Sequence, residues 1–489
     1  MFLGIDLGTS EVKVLLVDDA GRVAGAAGAP LEVSRPHPRW SEQAPEDWWR
    51  ATVAAVQRLR DAHPAAVAAV RGIGLSGQMH GATLLDAVDR PLRPAILWND
   101  TRSDRECREL LERAPATLEI TGNRAMPGFT APKLLWVARH EPELFARVAS
   151  VLLPKDYVRL RLTGEKVSDP SDASGTLWLD VARRDWSDVM LAATGLSRAH
   201  MPRLVEGSAP SGRLLPAVAA TLGIAGTPVV AGGGGDNAAS AVGIGAISPG
   251  DGFLSLGTSG VLFVVNDRFL PAPARAVHAF CHALPARWHQ MSVMLSAASC
   301  LRWLSRLLGI GEADLVAEVE GLDAAARARA PIFLPYLSGE RTPHDDAAAT
   351  GVFHGLTHDT DRRALVYAVL EGVAFGLADG LAALQEAGAR VEALSVVGGG
   401  ARSGVWTQLI ADVLDVRLET PEGGERGAAL GAARLAQIAC GAPEAAVCGR
   451  PPVARAHVPS PASATLLANR RDRFRRLYPA VAPLWPPAA

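Results

Sequence analysis

The amino-acid sequence carries the same short hairpin pattern twice. Residues 5–14 read IDLGTSEVKV and residues 254–263 read LSLGTSGVLF. In each, apolar residues lead into Leu-Gly-Thr-Ser and leave through alternating apolar positions. That is the pattern of a strand, a tight glycine turn and a second strand. The copies start about half of the 489-residue chain apart, so two related domains, each opening with this hairpin, are expected. Length agrees, since roughly 150 residues per domain allows two to four domains that each bury a core.

The copies differ where chemistry is sensitive to it. Asp6 of the first is Ser255 in the second, and Lys13 is Leu262. Backbone amides and hydroxyls of a Gly-Thr-Ser turn can hold phosphate oxygens. A carboxylate beside such a turn can reach Mg²⁺ directly or through water. Two phosphate-holding turns facing each other, one with an acid, suit a nucleotide between two halves. Two ordinary hairpins with polar turns are the alternative.

With 48% hydrophobic and 20% charged residues the chain is globular in composition. A net charge of −2 gives no broad basic footprint, which argues against nucleic acid or an anionic membrane as partner. Five scattered cysteines, an odd number, point to reduced thiols and a cytoplasmic protein rather than a disulfide framework. Asp6 interrupts the first apolar stretch, so no signal peptide is read there. Residues Leu214 to Gly235 lack charge, but Pro216, Gly223, Gly226, Pro228 and the glycines at 232–235 break them up. A strand, Pro228 to Ala231, entering a glycine turn fits better than a lipid-facing helix, and a soluble protein is expected.

Other elements alternate as in α/β domains. Pro45 to Arg60 reads as a helix with Trp49, Val53 and Val56 on one face. Val70 to Leu75 reads as a strand, Asp361 to Ala387 as a long helix, and Ala393 to Val397 as a strand. Gly427 to Ala439 is a helix of small residues suited to close packing. The Pro- and Ala-rich stretches Gly449 to Ala464 and Pro479 to Ala489 are expected on the surface.

Three glycine-rich segments invite a ligand. Gly72 to Gly77 satisfies GxGxxG, but its glycines lie inside the strand pattern, which excludes a dinucleotide site. No Walker A pattern occurs. Gly232 to Gly235 ends at Asp236, with a helix expected over Asn237 to Ile247. Asp236 is either a helix N-cap or a carboxylate accepting the proton of a hydroxyl that attacks a phosphoryl group. Gly398 to Ser403, ahead of a helix through Trp406 to Leu414, allows close approach by a flat ligand or phosphate, or is only a glycine-rich helix start. His278, Cys281 and His282 lack a second ligand pair at zinc spacing and read as packing. Met79 and His80 sit at a strand end, where open α/β sheets bind ligands. Only four of the 49 basic residues are lysines, Lys13 and Lys133 among them, a hint that those ammonium groups matter.

With these pieces the chain resembles the FGGY family of carbohydrate kinases, from IDLGTSEVK to GAALGAARLAQIA. GFTAPKLLWVARH at 128 fits a family signature with Lys133 and Trp136. WSEQ at 40, GQMHGATLLD at 77, ILWND at 96, LLPKDY at 152 and LPYLSGERTP at 334 resemble segments of the members acting on D-xylulose. The resemblance implies two ribonuclease H-like domains of the actin and hexokinase type around a cleft. Residues 1–245 would be mainly sugar-binding and 246–489 mainly ATP-binding. It implies Asp236 as general base on the sugar 5-hydroxyl and Asp6 near Mg²⁺, with Thr9 and Lys13 toward the γ-phosphate of ATP. Gly257 and Thr258 would hold phosphate, Gly399, Gly400 and Ala401 would pack on adenosine, and Met79 and His80 would contact the sugar. A homodimer is the family expectation. A same-fold kinase for ribulose, gluconate or glycerol is the nearest alternative. A nucleotide-driven binding protein of the actin or heat-shock chaperone type is a further one. Two departures stand out: four glycines where three are expected before Asp236, and Glu11 inside the first turn, which must point away for ATP to bind.

Overall fold

The computed structural model describes residues 1–485, with the side chain of Glu425 outside the description. The first sheet contains β1 (Phe2–Leu7), β2 (Glu11–Val17), β3 (Val23–Pro30), β4 (Gly72–Gly77), β5 (Pro210–Arg213) and β6 (Val229–Ala231). Their order is β5-β6-β4-β1-β2-β3, and the two-residue strand Gly234–Gly235 also pairs with β4. The second sheet contains β7 (Gly252–Leu256), β8 (Gly260–Asn266), β9 (His278–Cys281), β10 (Trp288–Met294), β11 (Ala393–Val397), β12 (Arg417–Pro421) and β13 (Val453–His457). Their order is β9-β10-β8-β7-β11-β12-β13.

Both repeated segments fold as antiparallel hairpins at the centre of their sheets, β1 with β2 and β7 with β8. They close differently. In the first, Asp6 stands opposite Lys13, whereas in the second Ser255 stands opposite Val261 rather than Leu262. The second turn is one residue tighter, with Gly257 N–H bonding the Ser259 carbonyl where Gly8 bonds Glu11.

The helices that position the site are α1 (Pro45–Ala62), α2 (Thr130–His140), α3 (Pro154–Thr163), α4 (Asp236–Ile244), α5 (Arg362–Glu386), α6 (Gly404–Leu414), α7 (Gly427–Ala439) and α8 (Pro461–Val481). α1 starts with Pro45 in its first turn, Glu46 and Asp47 at the positive end of the dipole, and Arg60 in its last turn. Its buried face holds Trp48, Thr52, Val56 and Leu59, while Trp49 and Val53 lie at the margin. The expected face is thus rotated by one residue. The Trp48 indole N–H finds a buried partner, Gln43 Oε1, at 2.9 Å, and Trp49 lies under the Arg161 guanidinium at 5.0 Å.

α5 is the one helix among the described residues long and apolar enough to cross a membrane, and 89% of that apolar window is buried inside the protein. It packs on α6 and β10 at the core of the second half. The charge-free stretch 214–235 is divided into a helix, Pro216–Leu222, then β6 and the glycine turn.

Helix α7 lies on β1 and β4 of the first sheet and against α4. A Cβ at Gly74 would fall 1.8 Å from the Ala432 carbonyl oxygen, so a glycine of the GxGxxG lettering admits a helix. The Pro- and Ala-rich stretches keep nearly all of their described residues at the surface, as expected, and carry regular structure there: strand β13 and the two ends of α8 fall within them, with residues 486–489 outside the described residues. α8 buries Leu467, Phe474 and Leu477, and its buried Arg470 donates to both oxygens of Glu371 at 2.7 and 2.6 Å.

Candidate active site

The first hairpin places two opposite charges side by side at a strand end. Asp6 is paired in register with Lys13 on β2 and with Ser76 on β4. Burial raises its pKa to about 6, and the negative charge of Asp236 adds to this, while the neighbouring Ser76 hydroxyl and Lys13 oppose it. Asp6, Glu11 and Lys13 line a cavity of about 580 Å³ whose far wall comes from the second half, including Ser255, Gly398 and Arg426. Glu11 does not leave this space. Its carboxylate lies 3.8 Å from Lys13 Nζ and is accommodated beside Gly28.

Thr9 is engaged elsewhere. Its hydroxyl donates to Gln78 Oε1 and accepts from the Trp98 indole, both at 3.0 Å, and Gln43 Nε2 bonds its carbonyl at 2.7 Å. Both Gln43 and Gln78 are buried.

At the end of β4, Met79 is buried and His80 takes a left-handed φ of 70°, a conformation that costs energy outside glycine. The His80 carbonyl receives Lys133 Nζ at 2.9 Å and the Thr130 hydroxyl at 3.1 Å, both from α2. The same ammonium bonds the Gly128 carbonyl at 2.8 Å. Burial lowers the Lys133 pKa to about 7, against the pull of Asp100. His80 Nδ1 lies 2.6 Å from the Gly175 carbonyl. A carbonyl only accepts, so Nδ1 carries the proton and Nε2 is left as an acceptor.

Burial lowers the His80 pKa from 6.5 to about 3. The unfolded chain takes up a proton below pH 6.5 that the fold refuses. This group's contribution to stability is therefore complete above pH 6.5 and is lost as pH falls toward 3. Nitrogen NMR of the folded protein should show His80 as the neutral Nδ1–H tautomer at every pH from 8 to 5. A titration near 6.5 would contradict the assignment.

The glycine run approaches from the other side. Gly233 has φ +79° against the Leu75 carbonyl, and a Cβ at Gly232 would fall 2.2 Å from the Glu206 carbonyl oxygen. The fourth glycine is thus demanded by close packing. Gly235 abuts the Met79 side chain, where a Cβ would meet Cγ and Sδ at 2.9 Å. Gly235, not Asp236, is the helix N-cap. Asp236 is the first residue of α4, and its Oδ1 accepts from the Asn237 backbone N–H at 2.7 Å and side-chain Nδ2 at 3.0 Å. Burial raises its pKa, against those two bonds. Asp236, Met79 and Asp6 are thereby drawn to one region.

The second hairpin faces a different cavity, of about 600 Å³, lined by Gly257, Thr258, Gly399 and Gly400 with Arg302, Glu320 and Ser403. Ala401 is buried and outside that lining. His278 bonds Asn123 and Arg341 at 3.2 Å, the Cys281 thiol rests on the Val181 carbonyl, and His282 Nε2 lies 3.3 Å from the Ala246 carbonyl. Among the described residues no three His, Cys, Asp or Glu side chains are grouped to hold a metal ion.

Residues 1–243 match the N-terminal domain and residues 252–440 the C-terminal domain of the FGGY family of carbohydrate kinases. The chain is 55% identical over 488 residues to a xylulose kinase of Escherichia coli K12, covering 99% of this chain and all of that one. It is 52% identical to a xylulose kinase of Klebsiella pneumoniae, again over 99% of this chain and all of the other. A crystal structure described as a xyloylose kinase from Brucella ovis superposes with a TM-score of 0.96 at 55% identity, covering 99% of each chain.

The chain belongs to the FGGY family of carbohydrate kinases. It has the two-domain FGGY fold of the actin and hexokinase type, and ATP is a substrate of this kinase.

Several residues of this FGGY kinase's site escaped sequence reasoning. Gln43, Gln78 and Trp98 lie in the WSEQ, GQMHG and ILWND segments, but no spacing signals that they meet around Thr9. Lys133 was marked by the scarcity of lysine and by the signature at 128, but its grip on the His80 carbonyl was not. Lys155, in the LLPKDY segment, sits fully buried among Asp156, Asp169 and Asp172, a cluster no linear motif announces.

Proposed function

We propose that this kinase transfers the γ-phosphoryl group of ATP to the 5-hydroxyl of D-xylulose, giving D-xylulose 5-phosphate. The observation that carries the reading is Asp236, a desolvated carboxylate at a helix start directly after Gly235, which abuts Met79, in a chain 55% identical to a xylulose kinase along its whole length. Phosphoryl transfer needs positioning and charge neutralisation more than covalent help. Asp236 takes the proton of the attacking hydroxyl, and its raised pKa makes it a better base than an exposed carboxylate. Met79 and His80 bind the sugar, with the bare His80 Nε2 accepting from a hydroxyl.

Lys13 and Thr9 approach the γ-phosphate, the Thr9 hydroxyl exchanging its bonds to Gln78 and Trp98 for a phosphate oxygen. Gly257 and Thr258 hold phosphate from the second half, and Gly399, Gly400 and Ala401 border the adenosine. Oxygen donors in a cleft fit a hard cation, and Asp6 would hold Mg²⁺, directly or through water. Such an ion would supply neutralisation of phosphate charge. For ATP to approach, the Glu11 carboxylate stays paired with Lys13. We further propose a cytoplasmic enzyme working on small molecules, without nucleic acid or membrane partners. Its net charge of −2 and five free thiols, four of them buried, support this. A homodimer rests on the family resemblance.

ADP release with Mg-ATP tests the substrate. D-xylulose should stimulate it strongly and selectively against ribulose, gluconate, glycerol and a sugar-free control. Preference for another sugar would keep the fold and overturn the roles of Met79 and His80. Slow release indifferent to all sugars would overturn the kinase reading of the site.

A further inference from the structure

Beneath the glycine run lies a cluster of five fully buried charged side chains. Lys155 Nζ meets Asp156, Asp169 and Asp172 at 2.6, 2.9 and 3.0 Å, and Arg159 lies 3.6 Å from Asp156. Burial lowers the Arg159 pKa, and it holds Asp172 well above the usual carboxylate range despite Lys155. Buried ion clusters contribute little net stability, because desolvation offsets their attraction. What this one touches is therefore informative.

It grips both ends of the segment that carries Asp236. Arg159 donates to the Ala231 carbonyl at 2.5 Å and to the Gly232 carbonyl, and is itself braced on Ser211 Oγ at 2.6 Å and the Val167 carbonyl at 3.2 Å. At the other end, Gly235 N–H donates to Ser171 Oγ at 3.2 Å. The Ser171 hydroxyl in turn donates to Asp169 Oδ2, and the other oxygen of Asp169 bears on Lys155. Four consecutive glycines are the backbone least able to hold its own shape. A carboxylate at their end keeps its place only if the turn is held from outside.

We propose that Arg159 and Ser171, backed by Asp169 and Lys155, are positioning residues that hold the Gly232–Gly235 turn so that Asp236 meets the attacking hydroxyl. The proposal rests on Asp236 being the general base, and its test separates the two. Ser171→Ala removes the acceptor of the Gly235 N–H at the far end of the run. Its kcat should fall about 10- to 100-fold, with KM for ATP and for D-xylulose within about twofold of the parent. Ser171→Thr, which keeps the oxygen, should restore most of that loss. In an Asp236→Asn background, Ser171→Ala should cause little further loss, because the group it positions is gone.

An unchanged kcat in Ser171→Ala, or the same fold-loss with and without Asp236, would overturn the positioning role while leaving the base intact. Full turnover by Asp236→Asn alone would instead overturn the base, and the positioning role with it. Asp169→Asn, of equal volume, is measured alongside, so that a folding failure in one variant leaves the other to decide. Thermal melting of each variant monitors the fold.

Discussion

Asp236→Asn is expected to lose at least about 10³-fold in kcat, the scale of a general base. Affinity for ATP should stay within about twofold. The substitution is nearly isosteric, and an amide oxygen can still accept the Asn237 bonds at 2.7 and 3.0 Å, so the start of α4 keeps its shape. What disappears is the capacity to take a proton. A second consequence follows from charge. Asp236 is the largest contributor after burial to the raised Asp6 pKa, so the variant should titrate Asp6 at lower pH. Steady-state kinetics with direct nucleotide-binding calorimetry checks the first, and carbon NMR of the Asp6 carboxyl the second. Retained turnover would remove Asp236 as the base.

Gly431→Ala should be the most damaging methyl that can be added to the helix pair joining the two halves. A Cβ there would fall 1.8 Å from the Ala239 carbonyl oxygen and 3.0 Å from the Gly243 nitrogen. These are backbone atoms of α4 that cannot swing aside. The helix gains about 1 kcal/mol of propensity from alanine, but overpacking at this range costs about 3 kcal/mol or more. The melting temperature should drop by several degrees. Activity should fall too, since α4 begins at Asp236. Gly427→Ala is the control on the same helix. Its Cβ would meet Ser240 at an ordinary 3.5 Å, and its melting temperature should change little. Equal melting curves for the two variants would show that α4 and α7 do not pack this closely.

Several elements were legible in the sequence because their signals are local. The strand at 393–397 and the helix at 427–439 have the bounds that periodicity predicts, since apolar spacing and flanking glycines mark both ends. The helix at α1 was legible as a helix, but its buried face was not. Trp48 and Trp49 are equivalent as letters, and the packing of the helix on the first core, with Gln43 just ahead of the helix accepting the Trp48 N–H, decides which indole is buried. The C-terminal stretches were legible as surface, but alanine and proline serve coil and helix alike, so strand β13 and the two ends of α8 within them were not.

The sequence by itself determined that the chain has two halves opening on the same turn, that one turn carries an acid, and that Asp236 follows a glycine run. It also determined the family, because whole motifs such as GQMHG survive as contiguous text. Tertiary structure alone decided that the second turn closes one residue tighter, that Lys133 holds the His80 carbonyl, and that Lys155 and Arg159 underlie the Asp236 turn. Those contacts join residues tens of positions apart in the chain. A lone buried ammonium or guanidinium is stable only with its partners around it, and no linear spacing records which carbonyls and carboxylates the fold will bring to meet it.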